Sequence, residues 1–162
     1  MNHRRLIPAL PVAALLAVSL APPAMAAVIN GTSGADTLVG TAGADTVSGF
    51  AGRDSIYGKA GPDRLYAGHG RDTVYGGSGA DSMFPGKDRI RSVDRLYGGP
   101  GPDHIRARNG DNVHAGDGND IIEVLGPREA FGVVTVYCGP GHDTVIMRGN
   151  AWLNRDNCEH VR

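Results

Sequence analysis

The sequence predicts an all-β solenoid: two parallel sheets of very short strands, wound at 18 residues per coil. Three observations carry this. Aspartate returns every nine residues at Asp36, Asp45, Asp54, Asp63, Asp72 and Asp81. Glycine stands two places before each of them, at Gly34, Gly43, Gly52, Gly61, Gly70 and Gly79. A large apolar residue stands two places after, at Leu38, Val47, Ile56, Leu65, Val74 and Met83. A fixed short period of this kind is the mark of a repeat architecture and takes precedence over any element-by-element reading.

The N-terminus comes first and lies outside the repeat. His3, Arg4 and Arg5 precede a largely apolar run from Leu6 to Leu20, and Ala24-Met25-Ala26 supplies a small-x-small cleavage site. Residues 1–26 therefore read as a secretory signal peptide. The run is short for a membrane span, is broken by Pro8 and Pro11 and ends at Pro22 and Pro23, and no cysteine follows the small residues to take a lipid. Residues 27–162 form the expected mature chain, secreted and with no membrane span. Its 14 basic residues against 17 acidic leave a formal charge of about −3, which offers no case for nucleic-acid binding. Of the acids 14 are aspartate and three glutamate, a skew that calls for short carboxylates at fixed places. With 25 glycines, three phenylalanines and one tryptophan in 162 residues, a thick core is excluded.

The regular repeat, residues 31–84, follows. Its unit is G-x-x-G-x-D-x-U-x with U apolar, and Gly31, Gly40, Gly49, Gly58 and Gly76 open five of the units, Ala67 the sixth. Glycine at two fixed places permits positive-φ turns and close backbone approach. The residues around U are rich in Thr, Val, Ile, Leu and Tyr, which suits a strand. A three-residue strand spans about 10 Å and buries one side chain, too little to stand alone. Two units closed into one coil solve this by stacking on the next coil. Leu38, Val47, Ile56, Leu65 and Val74, with Ile105 and Ile122 further on, then point inward, while Tyr57, Tyr66 and Tyr75 point outward.

Stacking places Asp36, Asp54 and Asp72 on one edge and Asp45, Asp63 and Asp81 on the other. Carboxylates that close repel unless a cation lies between them. Calcium accepts six to eight oxygens in flexible geometry, and carboxylates with glycine-turn carbonyls offer such a set; zinc would require His or Cys. Four inter-coil sites are expected between the pairs Asp36–Asp54, Asp45–Asp63, Asp54–Asp72 and Asp63–Asp81.

Residues 85–145 continue the repeat irregularly. Asp103 stands 22 after Asp81, one coil plus four, if "GKDRIRSVD" bulges outward; Asp111 and Asp120 follow by eight and nine, with a deletion near Asn109. Asp120 to Asp143 is 23, with "GPREAFG" as the extra loop. The register carries metal binding onto Asp103, Asp111 and Asp120, with the Gly98 carbonyl, and only weakly onto Asp94 and Asp143; Asp88 is excluded. Arg53 and Arg71, beside Asp54 and Asp72, are expected to compete with an ion for those carboxylates.

"GGSGADSMF", "GGPGPDHIR" and "AGDGNDIIE" resemble the hemolysin-type calcium-binding (RTX) nonapeptide. The ending "YCGPGHDTV…NCEHV" is similar to that of small secreted actinobacterial proteins built from such repeats. The resemblance spans about Gly31 to Val145 and implies a right-handed parallel β-roll, several calcium ions in the turns and action outside the cell. The family's usual Asn at the fifth place is here Ala35, Ala44, Arg53, Pro62, Arg71 and Ala80.

The C-terminal segment, residues 146–162, is expected to cap the solenoid. Export makes a disulfide between Cys138 and Cys158, the only two cysteines, the natural reading. It would hold Trp152 and Leu153 over the last coil. No G-x-S-x-G, H-E-x-x-H or phosphate loop is present, and no 100-residue stretch is free for a catalytic domain, so no enzyme is expected. The alternative function is an adhesive or glycan-binding solenoid that uses a sheet face, with a cell-surface or glycan partner.

Overall fold

The computed structural model describes residues 25–86, 92–108, 110–126, 132–149, 152–156 and 158–162. The expected signal peptide up to residue 24, Asp88, Asn109 and the two loop segments 87–91 and 127–131 lie outside them. Seventeen strands, numbered in chain order, are found among the described residues, and no helix. Every strand pairing is parallel.

One sheet has eight strands, in spatial order β1 (Val28–Asn30), β3 (Thr46–Ser48), β6 (Arg64–Tyr66), β9 (Ser82–Phe84), β11 (His104–Ala107), β13 (Ile121–Leu125), β15 (Thr144–Arg148) and β17 (His160–Val161). The other has seven: β2 (Thr37–Val39), β5 (Ser55–Ala60), β8 (Thr73–Ser78), β10 (Arg95–Pro100), β12 (Asn112–Asp117), β14 (Val133–Tyr137) and β16 (Trp152–Asp156). A two-stranded ribbon, β4 (Ala51–Gly52) with β7 (His69–Gly70), links turns of adjacent coils. Successive strands alternate between the large sheets, so each nine-residue unit is half a coil of a β-solenoid.

The register shows how the chain keeps its stacking through the irregular part. Thr46 pairs with Arg64 and Arg64 with Ser82, steps of 18. Ser82 then pairs with His104, His104 with Ile121 and Ile121 with Thr144, steps of 22, 17 and 23. The pairing is kept across these uneven steps, because slipping a strand by one would turn its apolar side chain to water.

The spine follows from that alternation. Val47, Ile56, Leu65, Ile105 and Ile122 are fully buried, with Val74 and Leu38 nearly so, as expected from their place in the unit. Met83, Leu96, Val113, Val136 and Val145 extend the row. Two residues further along each strand, Ala67, Ala107, Ala115, Val124 and Cys138 form a second buried row. Tyr57, Tyr66 and Tyr75 point outward.

The final segment adds a strand to each sheet. β16 pairs with β14 and β17 with β15. Cys138 and Cys158 are joined, with Cα atoms 5.2 Å apart. Closing a loop of this size contributes about 3 kcal/mol in the chain-entropy model. The side chains of Trp152 and Leu153 lie outside the described ones.

Candidate metal centres

The turns before the strands line up the aspartates in two columns. Asp36, Asp54, Asp72, Asp94 and Asp111 precede strands of the seven-stranded sheet; Asp45, Asp63, Asp81, Asp103, Asp120 and Asp143 precede those of the eight-stranded sheet. Each column is a ladder in which one aspartate's backbone N–H donates to Oδ1 of the aspartate one coil ahead. The first column has Asp36 to Asp54 at 2.9 Å, Asp54 to Asp72 at 2.9 Å, Asp72 to Asp94 at 2.9 Å and Asp94 to Asp111 at 3.0 Å. The second runs Asp45 to Asp63, Asp63 to Asp81, Asp81 to Asp103, Asp103 to Asp120 and Asp120 to Asp143, all at 2.8 or 2.9 Å. Asp36 and Asp45 are thus on different edges, and partners are two units apart. Asp94 and Asp143, assigned only weakly by spacing, are full members of their columns.

The second oxygen divides the aspartates. Oδ2 of Asp36 accepts from the Thr32 N–H at 2.6 Å and hydroxyl at 2.9 Å. Oδ2 of Asp45 accepts from the Thr41 N–H at 2.5 Å and hydroxyl at 3.1 Å. Asp111 receives the Arg108 N–H at 2.7 Å. By contrast, Oδ2 of Asp54, Asp63, Asp81, Asp103, Asp120 and Asp143 is buried with no hydrogen-bond partner. The local cause is the backbone at the second place of the unit. Phe50 and Lys59 there take positive φ, 70° and 83°, whereas Thr32 and Thr41 do not. The peptide N–H that serves Asp36 and Asp45 is then turned away from the carboxylate.

Backbone carbonyls converge on the same oxygens. A Cβ added at Gly40 would lie 2.6 Å from Asp45 Oδ2 and 2.5 Å from the Gly58 carbonyl oxygen. The same pairing brings Asp36 toward the Gly49 carbonyl, Asp54 toward Ala67, Asp63 toward Gly76, Asp81 toward Gly98 and Asp103 toward Ala115. The carbonyls of Gly49, Gly58, Gly76 and Gly98 each lie beside an aspartate Oδ2 of the preceding coil. Gly31 and Gly40 open the first two units, with no aspartate in an earlier turn for their carbonyls to meet, and contribute a bare Cα instead.

The electrostatics follow. Burial pushes the Asp103 carboxyl up to about 7, opposed by the Asp81 N–H and reinforced by the charges of Asp81 and Asp120. Asp63 and Asp120 are each raised to about 6, again chiefly by burial. Asp54, Asp81 and Asp143 are raised for the same first reason. At Asp45 burial also raises the value, but the N–H groups of Thr41 and Ala27, the Thr41 hydroxyl and the Lys59 charge outweigh it and hold the carboxyl below its usual range.

At Asp54, Asp63, Asp81 and Asp103 a buried Oδ2 without a hydrogen-bond partner thus lies at the same glycine as a backbone carbonyl oxygen, two acceptors brought together. A buried acceptor left unmatched costs free energy, and a hard cation satisfies several at once. Among the described residues no three His, Cys, Asp or Glu side chains group as a metal site, so the main chain has to supply much of any coordination shell. The donor set, all oxygen, fits calcium. The expected competition from Arg53 is not found: its side chain is exposed, and Asp54 Oδ2 has no partner.

Spacing also missed an outward feature. Tyr57, Tyr75, Tyr97, His114 and Tyr137 stack face to face along the seven-stranded sheet, with successive centroids 4.6–5.0 Å apart. The ring faces cover one another, so a sugar meets edges and hydroxyls there rather than open platforms. The signal was in the sequence, in the aromatic residue just after U on alternate strands, but hidden by the uneven coil lengths.

No curated protein and no solved structure matches the chain. The model of the RTX calcium-binding nonapeptide repeat (4 copies) matches residues 30–65, 48–83 and 92–122, together just over half of the sequence. With its parallel coils and aspartate-glycine turns, the chain belongs to the RTX calcium-binding nonapeptide repeat family.

Proposed function

We propose that this protein is a secreted, non-catalytic calcium-binding β-roll whose folding is organised by ions held between successive coils. The observation that carries the reading is the set of six buried, unpartnered carboxylate oxygens, at Asp54, Asp63, Asp81, Asp103, Asp120 and Asp143. A bound calcium ion supplies positive charge and an oxygen-accepting shell at these points. The chain supplies the Oδ2 atoms and the carbonyls of Gly76, Gly98 and their equivalents one coil ahead. Asp36, Asp45 and Asp111 act differently: their Oδ2 atoms take protein donors, so they close the ends or the shortened turn of a column with less need of an ion.

Secretion is supported by the leader-like start and by the Cys138–Cys158 bond, which is consistent with an oxidising compartment. A structural role is supported by the repeat itself, whose stacked coils run through the described residues. Because coils cannot bury enough apolar surface singly, binding and folding are linked, and every ion bound only by the folded coil adds stability by mass action.

The test is a calcium titration of the chain from Ala27 onward, followed by far-UV circular dichroism and by counting bound ions. The expected result is β-structure gained with calcium, reversed by EDTA, with more than one ion per chain. Full β-signal in EDTA would make calcium an accessory and sink the linkage.

A further inference from the structure

The outer face of the eight-stranded sheet carries a charge pattern that the repeat does not require. Arg64 on β6, Arg106 on β11 and Arg148 on β15 occupy every second strand, about 10 Å apart. Arg108 stands two residues beyond Arg106. Arg106 and Arg148 flank one acid on β13, Glu123, and both of its oxygens are taken: Arg106 Nε donates to Oε2 at 3.0 Å and Arg148 Nη2 to Oε1 at 3.1 Å. Arg106 also lies over the Phe84 ring, 5.1 Å from its centroid, and Phe84 stacks on Tyr66 at 4.9 Å. Beside this stack Tyr66, Phe84, Pro85, Gly86, Arg106 and Arg108, with Leu125, line a groove of about 470 Å³. That volume is in the range of small-ligand sites.

We infer that this groove binds an acidic polysaccharide, with a sugar carboxylate on Arg108 and the outer edge of Arg106 and the sugar ring against Tyr66 and Phe84. The guanidinium fork matches the two oxygens of a carboxylate. Phe84 is covered by Tyr66 on one side and Arg106 on the other, so a sugar ring meets ring edges and the Tyr66 hydroxyl there. The inference deepens the glycan-binding alternative by naming face, residues and ligand class. It needs the folded coil but no particular set of ions.

The experiment is isothermal titration calorimetry of the calcium-loaded chain with a hyaluronan oligosaccharide. Carboxyl-reduced hyaluronan, dextran sulfate and single-stranded DNA are the comparison arms. Binding is expected to hyaluronan, to be lost on carboxyl reduction, and to weaken about tenfold or more in R106Q/R108Q. Arg95→Gln, on the opposite sheet, should leave it unchanged. Calcium-induced circular dichroism run on every variant separates loss of the groove from loss of the coil. Should the double variant fail to fold, Arg108→Gln alone carries the test, with weakening of about threefold expected. Absence of binding by the wild type, binding unchanged by Arg108→Gln, or equal binding to dextran sulfate or DNA would each overturn the inference.

Discussion

The backbone N–H of Asp45 donates to Oδ1 of Asp63 at 2.8 Å, across 18 residues and one full coil. Asp63 thereby does two things at once. One oxygen fixes the neighbouring coil, and the other is buried without a partner. Asp63→Ala removes both, whereas Asp36→Ala removes a carboxylate whose Oδ2 already rests on Thr32. The calcium midpoint for folding is expected to rise about tenfold or more for Asp63→Ala, from loss of a charge-assisted hydrogen bond and a ligand, and by a factor of about two for Asp36→Ala. Paired titrations by circular dichroism at fixed ionic strength check this, and equal shifts would refute it.

Acidity should act in opposite directions with and without the ion. The folded carboxyls of Asp103, Asp63 and Asp120 lie at about 7, 6 and 6, above their ordinary value, so the folded chain binds protons more tightly than the unfolded one. Their stabilising contribution is complete below about pH 4 and is lost as pH rises through 6 to 7. In EDTA the β-signal at pH 4.5 should therefore exceed that at pH 8. Calcium needs the ionised form, so its midpoint should fall over the same rise in pH. A stronger EDTA signal at pH 8 than at pH 4.5 would contradict the assignment.

Two glycines at the same place in the unit should behave differently. Gly79 has φ 144°, and a Cβ there would collide with the Gly61 carbonyl of the coil before. Gly34 lies in the first coil, and its nearest neighbour to a new Cβ is the Thr32 hydroxyl at 3.7 Å. Gly79→Ala is expected to cost about 1–3 kcal/mol or more in calcium, and Gly34→Ala about 0.5 kcal/mol or less. Urea unfolding of the two variants measures the contrast.

Cleavage after Ala26 would give the second column a charged end. The Ala27 nitrogen lies 2.7 Å from Asp45 Oδ1, and an α-ammonium at that point would bind the carboxylate more strongly than a peptide N–H does. A chain beginning at Ala27 should melt at a higher temperature than one extended by Ala-Met-Ala, by a few degrees. Calorimetry of the two chains in calcium decides it; identical melting would show that the end is not used.

The period of nine made the spine and the columns legible because each of its positions has one physical duty. Leu38 to Met83 are in the core, and Asp36 to Asp81 are on the edges to which spacing assigned them. Asp94 and Asp143 were harder, since steps of 22 and 23 residues reset the count while hydrogen bonding keeps the stack. Arg53 was misjudged because adjacency in sequence is not adjacency to Oδ2; its side chain stays in solvent. The role of Thr32 and Thr41 was invisible, because the first place at which a turn peptide reverses leaves no compositional trace. Tyr97, His114 and Tyr137 escaped for the same reason as Asp94: steps of 22, 17 and 23 residues hide a row that is straight in space.

The aspartate ladders also give the molecule an arrow. Along both columns the donor belongs to the earlier coil and the acceptor to the later one. A chain emerging N-terminus first therefore exposes a row of waiting amides, and each turn is completed only by the arrival of its successor. A fragment cut short at any coil ends on the same unmet demand, whatever its length. Beyond the last rung, β16 and β17 add one strand to each sheet and Cys158 is bonded back to Cys138. The covalent tie thus fastens these last strands to the coil of Cys138 in a place where no further aspartate arrives to do so.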